Sequence, residues 1–267
     1  MINVIVCGVA GRMGRRLAAL TVEYDDLALV GATEQPGHEA IGKDVGEIIG
    51  TGPTRITIAD GLEGIVEGGD VVLNFTAPEP TVEVARICGR SGKAMVVGTT
   101  GLSEAQLATF RESLSEVPCV FSPNFSVGVN LLFKLVEEAA RILGDDFDVE
   151  VLEAHHHFKK DAPSGTAIRL AERAAAGLDQ DLSHVGVYGR EGIVGERTKE
   201  EIGIHAIRAG DIVGEHTVMF GGIGEKVELA HKAQSRDTFV MGALRAARFV
   251  VKAKPGLYDM GDVLGIK

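Results

Sequence analysis

Residues 2–14 read Ile2-Asn-Val-Ile-Val-Cys-Gly-Val-Ala-Gly-Arg-Met-Gly14. The first six residues form a short apolar run rich in Val and Ile, which is typical of a strand buried on both faces. Three glycines follow at intervals of three residues, and a helical pattern begins within them. Glycine allows a tight turn, and the start of a helix presents N–H groups to an anion. The stretch therefore predicts a strand, a phosphate-binding turn and a helix.

The same alternation of strand and helix continues to about residue 125. Further apolar runs without polar alternation are Leu27–Thr33, Arg55–Ile58, Val71–Phe75, Ala94–Val97 and Cys119–Phe121. Helical segments lie between several of them, and Ser103 with Gln106 has the pattern of a capping box. This order predicts an α/β fold whose N-terminal domain is a Rossmann-like, doubly wound parallel sheet.

The pattern changes after Asn124. The sequence predicts a long helix, a strand, a second helix and then three β-runs without a helix between them, which indicates a second α+β domain on a mostly antiparallel or mixed sheet. A final helical pattern could pack back onto the first domain. In chain order these segments are Val127–Leu143, Val149–Ala154, Thr166–Ala176, Ile204–Arg208, Thr217–Phe220, Val227–His231 and Phe239–Val251.

Composition narrows the possible partners and location. The formal net charge of −11 disfavours nucleic acid and anionic membranes, so an anionic substrate needs a local cluster of positive groups. The N-terminus lacks the basic start of a secretory signal, and no run approaches the ~18 apolar residues of a membrane span. We therefore expect a cytoplasmic protein. The cysteines Cys7, Cys88 and Cys119 are scattered, which predicts buried free thiols.

An acidic residue strengthens the dinucleotide interpretation of the glycine turn. Glu34 ends the second predicted strand, 20 positions after Gly14, where a carboxylate can accept hydrogen bonds from both ribose hydroxyls of the adenosine. A carboxylate there repels a 2′-phosphate, although Arg12 could compensate, and Gln35 is neutral. We expect NADH and/or NADPH as cofactor, with NADH used at least as well. The alternative is a βα turn that binds no ligand.

Three more strand ends carry small or polar residues. They are Asn74–Pro78, Gly98–Gly101 and Ser122–Phe125, and each could contact a nicotinamide and its ribose, because ligands of open α/β sheets lie beyond the carboxyl ends of the strands. Each could equally be a turn with a helix cap.

The segment Glu153-Ala-His-His-His-Phe-Lys-Lys-Asp-Ala-Pro-Ser-Gly-Thr166 combines imidazoles, amines and a helix start. Gly165 and Thr166 open a helix whose N–H groups can bind a carboxylate, and Ser164 could cap that helix or join the anion site. Lys159 and the histidines could pair with a second carboxylate, and imidazole can supply a proton near neutral pH. Consecutive histidines in an extended chain point to opposite faces, which argues against a metal site. A solvated loop and a domain hinge remain alternatives.

Several stretches resemble the dihydrodipicolinate reductase family. They are Val6–Gly14, Val97–Gly101, Asn124–Asn130, Glu153–Thr166, Arg208–His216 and His231–Arg236, in order along the chain. The resemblance implies reduction of a hydroxylated tetrahydrodipicolinate by hydride transfer, in lysine and diaminopimelate biosynthesis, by a homotetramer that pairs through the second sheet. It also implies a dinucleotide-binding domain at 1–126, with a C-terminal helix 237–267 packing on it, and a substrate-binding and oligomerisation domain at 127–236.

The resemblance also implies a role for each matching residue. His155 is the general acid and Lys159 a second proton donor or charge stabiliser. The residues that hold the substrate are His156, Gly165, Thr166 and Thr100. The residues that bind the dinucleotide are Gly8, Val9, Ala10, Gly11, Arg12, Met13, Glu34, Gly98, Thr99, Thr100, Ser122, Pro123, Asn124 and Phe125. No metal is expected.

Two other functions share parts of this pattern. Another two-domain NAD(P) dehydrogenase, acting on a sugar or an amino acid, shares the first domain but needs no pair of carboxylate sites near 155–166. A redox sensor that binds NAD(H) usually adds a partner-binding or DNA-binding module. The role of Gly189–Gly203, as a mobile lid or a connector, stays open at the level of sequence.

Overall fold

The computed structural model describes residues 1–266. They form two compact units. The first unit comprises residues 1–126 and 237–265, and the second comprises 127–236 together with Ile266. The chain therefore leaves the first unit after Ser126 and returns to it at Asp237.

Strands and helices alternate along most of residues 1–126 and less regularly beyond them. The strands are β1 (Ile2–Cys7), β2 (Leu27–Glu34), β3 (Ile58–Asp60), β4 (Val71–Asn74), β5 (Ala94–Val97), β6 (Pro118–Phe121), β7 (Asp148–His155), β8 (Gly186–Tyr188), β9 (Ile202–Arg208), β10 (Gly214–Gly221), β11 (Lys226–Ala233) and β12 (Gly256–Tyr258). The α-helices are α1 (Arg12–Glu23), α2 (Val45–Ile49), α3 (Pro78–Ser91), α4 (Glu104–Ser113), α5 (Val127–Leu143), α6 (Gly165–Gly177), α7 (Leu182–Val185), α8 (Asp237–Val250) and α9 (Met260–Leu264). Short 3-10 helices span Val66–Gly68 and Gly144–Asp146.

The sheet of the first unit is entirely parallel, in the order β12-β6-β5-β4-β1-β2-β3. Its central strands are buried on both faces, as their continuous apolar runs predict: Val4, Ile5 and Val6 are fully buried. The chain crosses from β1 to β2 on one side and later places β4 on the other side of β1. The gap between β1 and β4 is thus the topological switch point. The predicted Rossmann-like doubly wound sheet is confirmed.

The second sheet is mixed, in the order β11-β10-β7-β9-β8. β7 and β8 each run parallel to β9, whereas β10 runs antiparallel to both β7 and β11. Burial alternates along β10, so one face of the sheet packs against helices α5 and α6. Val151, Ile204 and Val218 form part of that core. Of the two arrangements that the sequence predicts for this sheet, the mixed one is correct.

Two predicted elements differ from the structure. The run Arg55–Ile58 was expected as a strand, but β3 begins only at Ile58, because Arg55 has a φ of 63° and donates its N–H to Asp44. The C-terminal helix expected over 237–267 ends at Val250. Pro255 cannot continue a helix, and the chain instead adds the short strand β12 beside β6.

The segment Gly189–Gly203 begins with the connection from β8 to β9 and ends within β9. Two arginines of this connection form ion pairs with carboxylates of β7. Arg190 forms a bidentate pair with Glu150, at 2.9 Å for both bonds, and Arg197 contacts Asp148 at 2.8 Å. These ion pairs lie on the sheet face opposite to α5 and α6.

The three cysteines are buried free thiols, as predicted. Burial raises the pKa of Cys7 to about 11 and raises that of Cys88 and Cys119 as well, so all three stay protonated at neutral pH. Within residues 1–266, no helix combines the length and the apolar character needed to cross a bilayer.

The packing of α8 in the first unit requires a glycine, because the helix approaches the backbone at Phe125 closely. A Cβ at Gly242 would lie 1.7 Å from the carbonyl oxygen of Phe125. Gly242→Ala is therefore expected to destabilise the protein by about 1–3 kcal/mol, the usual cost of overpacking, although alanine is the better helix former by about 1 kcal/mol. Urea unfolding measures the change. Gly68→Ala is the matched control, since open space surrounds Gly68. Equal midpoints for the two variants would contradict this packing.

Candidate functional site

The glycines of the first turn are required by close backbone contacts. Gly8 has a φ of +69°, and a Cβ there would lie 2.7 Å from the Cγ2 of Thr76. A Cβ at Gly14 would lie 2.0 Å from the carbonyl oxygen of Gly8. The N-cap residue of α1 is Gly11, which has no side chain. It therefore provides no side-chain acceptor for the first N–H groups of the helix. The helix start without a side-chain cap fits a pyrophosphate, because its N–H groups can bind an anion.

Glu34 lies beside this turn. Its Oε2 accepts the backbone N–H of Ala10 at 2.8 Å, and its Oε1 accepts that of Gln35 at 3.0 Å. A carboxylate can accept about four hydrogen bonds, so two sites stay available for ribose hydroxyls. The end of β2 and the glycine turn are thus joined by a direct hydrogen bond that the sequence alone did not reveal.

A buried network of hydroxyls and an amide lies at the ends of β4 and β5. Asn74 donates to Thr81 at 2.7 Å, and Thr81 donates to Thr99 at 2.8 Å. The Thr99 hydroxyl in turn donates to the Thr76 carbonyl at 3.3 Å, so this side chain has structural partners. A Cβ at Gly98 would lie 2.1 Å from Phe75, which explains the glycine there. Thr99 can therefore contact a ligand mainly through its backbone.

The remaining residues expected to bind the dinucleotide differ in exposure. Arg12, Thr100 and Pro123 are exposed, whereas Val9 and Phe125 are buried. The ring of Phe125 packs against that of Phe75, and the Ser122 hydroxyl donates to the Asn124 carbonyl at 3.0 Å. β1, β2, β4, β5 and β6 are parallel, so their carboxyl ends lie at one edge of the sheet. The residues predicted to bind the dinucleotide lie at or just after these ends: Gly8–Met13, Glu34, Gly98–Thr100 and Ser122–Phe125.

In the second unit, a histidine on β7 contacts a buried carboxylate of the same strand. Glu153 and His155 are two residues apart and share one face of the strand. The Glu153 side chain is fully buried, and its Oε2 lies 2.6 Å from Nδ1 of His155. The carboxylate requires a proton on Nδ1, since it can only accept, and this leaves Nε2 as the ring atom available to other partners.

Glu153 has three further donors. Arg208 on β9 forms a bidentate pair with it, at 2.8 Å for both bonds, and the backbone N–H of Ser164 donates to Oε1 at 3.0 Å. Burial alone would raise the pKa of Glu153, but the hydrogen bonds from Arg208, His155 and Ser164 outweigh it and hold the pKa below its ordinary value. Both Glu153 and Arg208 lie in stretches that resemble the family, but the sequence alone assigned neither of them a role.

Ser164 caps helix α6, which begins at Gly165. Its Oγ accepts the Ala167 N–H at 3.2 Å and lies 3.1 Å from Nε2 of His216. Gly165 has an ordinary φ, and open space lies where a side chain would begin. No packing contact therefore demands a glycine there, and a ligand can approach the backbone closely.

His216 was not among the predicted site residues. It is 4% exposed, and burial together with the charge of nearby His155 lowers its pKa to about 4, so the ring is neutral at pH 7. Among the described residues its Nδ1 has no hydrogen-bond partner. A bare ring nitrogen is a smaller penalty than a buried unpaired N–H, so Nε2 carries the proton and donates to Ser164. The Ser164 hydroxyl proton is then available to another acceptor.

Positive groups gather around this turn. Desolvation and the charges of Arg236, His155, Lys159 and His157 lower the pKa of His156, so each of these groups lies within electrostatic range of His156. Lys159 pairs with Asp161 at 2.9 Å. His157 is exposed beside Phe158 and has the smallest of these effects on His156.

The predicted residues His155, His156, Lys159, Gly165 and Thr166 thus all lie in the second unit, whereas Thr100 belongs to the first. Arg236 is an addition, found only from the structure. Within the part of the chain that the structure describes, no group of three or more His, Cys, Asp or Glu side chains could hold a metal ion.

Comparisons with known proteins agree along the whole chain. A family model described as "Dihydrodipicolinate reductase, N-terminus" matches residues 2–125, and one described as "Dihydrodipicolinate reductase, C-terminus" matches residues 128–264. The chain is 52% identical to a 4-hydroxy-tetrahydrodipicolinate reductase of Syntrophobacter fumaroxidans, over 100% of both chains. It is 50% identical to the reductase of that name from Trichlorobacter lovleyi, again over 100% of both.

A solved structure is similar as well. The dipicolinate-bound dihydrodipicolinate reductase of Paenisporosarcina sp. TG-14 is 28% identical, with a TM-score of 0.77 over 97% of each chain. The similarity covers both units.

The neutral, buried His216 predicts a specific acid sensitivity. Its folded pKa is about 4, against 6.5 for an ordinary histidine, so protonation favours the unfolded chain. The stability from this site is complete above about pH 6.5 and falls by about 1.4 kcal/mol per pH unit down to about pH 4. Urea unfolding at pH 7 and pH 5 should show that His216→Gln loses roughly 2 kcal/mol less than the wild type. Parallel losses in the two proteins would show that His216 titrates normally.

Proposed function

Because the chain belongs to the dihydrodipicolinate reductase family, we propose that it reduces 4-hydroxy-tetrahydrodipicolinate to tetrahydrodipicolinate with NAD(P)H, in lysine and diaminopimelate biosynthesis. One observation carries the proposal beyond family membership. In a chain with a net charge of −11, the charges of Arg236, His155 and Lys159 all act on His156, in the connection between β7 and the helix start at Gly165. Such a combination of two cations and two imidazoles suits a small dicarboxylate.

The two carboxylates of the substrate need two anion-binding positions. The Ser164 hydroxyl and the start of α6 at Gly165 and Thr166 would hold one. His156 and Lys159, with Arg236, would hold the other. The Asp161 partner of Lys159 is exposed, so the amine can exchange it for a substrate carboxylate without leaving a buried charge unpaired.

The proposed chemistry divides between the two units. In the first unit, the turn Gly8–Met13, Glu34, Gly98–Thr100 and Ser122–Phe125 would bind the dinucleotide, which supplies a hydride when bound. In the second unit, His155 with protons on both ring nitrogens would donate the Nε2 proton to the ring of the substrate, because the Nδ1 proton is engaged by Glu153. Lys159 would stabilise the negative charge that hydride addition develops on the ring system, or donate a second proton. The hydroxyl of the substrate leaves as water, which gives the conjugated ring to which the hydride and the proton are then added.

Oligomeric state and location are also part of the proposal. We expect a cytoplasmic homotetramer that pairs through the second sheet. The face of that sheet opposite to α5 and α6 carries Ile207, which is 49% exposed, as well as the partly exposed Leu152 and Met219. Sedimentation equilibrium that gave a monomer would remove this part of the proposal and leave the reaction untouched.

Turnover tests the proposed function most simply. The protein is mixed with NADH and freshly prepared 4-hydroxy-tetrahydrodipicolinate, and absorbance is followed at about 340 nm, where reduced nicotinamides absorb and the oxidised forms do not. We expect substrate-dependent oxidation of NADH. Binding of NADH without turnover would favour a redox sensor, and turnover only with a sugar or an amino acid would favour another dehydrogenase.

The position of Glu34 predicts the cofactor preference. A 2′-phosphate would meet a carboxylate already hydrogen-bonded to Ala10 and Gln35, so NADH should be used at least as well as NADPH. Comparing kcat/KM for the two cofactors tests this. A ratio that favours NADPH by tenfold or more, about 1.4 kcal/mol, would mean that Arg12 or another cation dominates the pocket.

His155→Gln isolates the proton donor. Loss of a general acid should lower kcat by about 10²–10⁴, while the dissociation constant for NADH stays nearly unchanged. His157→Gln is the matched control, because its ring is exposed beside Phe158 and has no part in the proposed reaction, so kcat should stay nearly unaltered. Near-wild-type turnover by His155→Gln would remove His155 from the mechanism.

A further inference from the structure

The Glu153 carboxylate connects the two functional parts of the second unit. Its Oε2 contacts Nδ1 of His155, and its Oε1 accepts the backbone N–H of Ser164, which caps the helix start. Arg208 contacts both oxygens at 2.8 Å and thereby fixes the plane of the carboxylate. At 1% exposure, Glu153 can influence a ligand only through these partners.

We propose that Glu153 is a positioning residue, held in place by Arg208, that sets the tautomer and orientation of His155 and at the same time fixes the anion-binding turn at Ser164. This inference rests on the proposed function, because it assigns the carboxylate a task in that same site. One rigid group then determines both where the proton donor lies and where a substrate carboxylate binds.

The hydrogen-bonding capacity of a carboxylate supports this role. It accepts hydrogen bonds only, so the ring nitrogen facing it must carry a proton, and a buried acceptor at 2.6 Å holds the ring in one orientation. A glutamine of the same shape presents an N–H₂ group at one end. That group cannot accept from Nδ1–H if it faces the histidine, and it cannot accept from Ser164 if it faces the turn.

A merely structural ion pair makes different predictions. Glu137 on α5 is a matched case in the same unit, since it pairs with Arg173 at 2.9 Å and with Arg141 at 3.1 Å. Neither of these two arginines is a residue of the candidate site. If Glu153 only stabilises the fold, Glu153→Gln and Glu137→Gln should differ in stability but not in turnover.

The kinetic test uses the whole chain. Glu153→Gln should lower kcat by about 10²-fold, the lower end of the weight of a general acid, with the KM for NADH changed less than about twofold. Glu137→Gln should keep the wild-type kcat. In the His155→Gln background, adding Glu153→Gln should cause little further loss of kcat, because the two residues act as one unit. Additive losses, or a kcat for Glu153→Gln within about twofold of Glu137→Gln, would overturn the proposal.

Two measures keep the test decisive if Glu153→Gln folds poorly. The double variant Glu153→Gln/Arg208→Gln leaves no unpaired guanidinium in the buried site, and the same loss of kcat is expected for it. Nitrogen NMR of the wild type, with the His155 resonances assigned through His155→Gln, should show a hydrogen-bonded proton on Nδ1. A bare Nδ1 in the wild type would overturn the proposal without any variant.

The NMR result also separates this inference from the proposed function. If the wild type fails to oxidise NADH with 4-hydroxy-tetrahydrodipicolinate, the proposed function fails, whereas a protonated Nδ1 would still establish the tie between Glu153 and His155. If the wild type turns over and Nδ1 is bare, the function stands and the positioning role falls.

Discussion

The buried carboxylate of Glu153 is the interaction on which the site of the second unit depends. Burying an ion costs several kcal/mol unless other groups replace its hydration. Arg208, His155 and Ser164 together supply four hydrogen bonds to it, so the end of β7, the end of β9 and the start of α6 must keep one mutual arrangement. Removing any one partner leaves a buried charge or donor unsatisfied, and the proposed general acid His155 and the proposed anion-binding turn at Ser164 would lose their common support.

The first unit depends on a different constraint: at some glycines, neighbouring atoms leave no room for a side chain. At Gly14 a Cβ would overlap the Gly8 carbonyl, and at Gly98 it would overlap the ring of Phe75. These contacts bring the backbone of the turn close to helix α1 and to the ends of β4 and β5. Glu34 then completes the edge by binding the Ala10 N–H. The edge proposed to bind the cofactor is therefore built largely from backbone groups, whereas the segment proposed to bind the substrate is built from polar and charged side chains.

Strands that form a continuous apolar run could be predicted from the sequence, and three-residue strands without such a run could not. β1 and β5 have the predicted bounds, because burial on both faces leaves a continuous apolar run. β8 and β12 have only three residues each and carry no such run. In the site, His155 and Lys159 stand out by their density in one segment. Glu153 and His216 do not, because their partners Arg208 and Ser164 lie 55 and 52 residues away in the chain. Local sequence patterns cannot predict contacts between side chains so far apart in the chain.

The proposed reaction depends above all on two separate positions for carboxylates in the segment around residues 155–166, with Arg236. Calorimetric titration of pyridine-2,6-dicarboxylate, with pyridine-2-carboxylate as the matched compound, tests for them directly. We expect one dicarboxylate bound per chain, and an affinity for the monocarboxylate at least about tenfold lower, about 1.4 kcal/mol, because one of the two positions stays empty. Equal affinities for the two compounds, or no binding of either, would contradict the presence of two such positions.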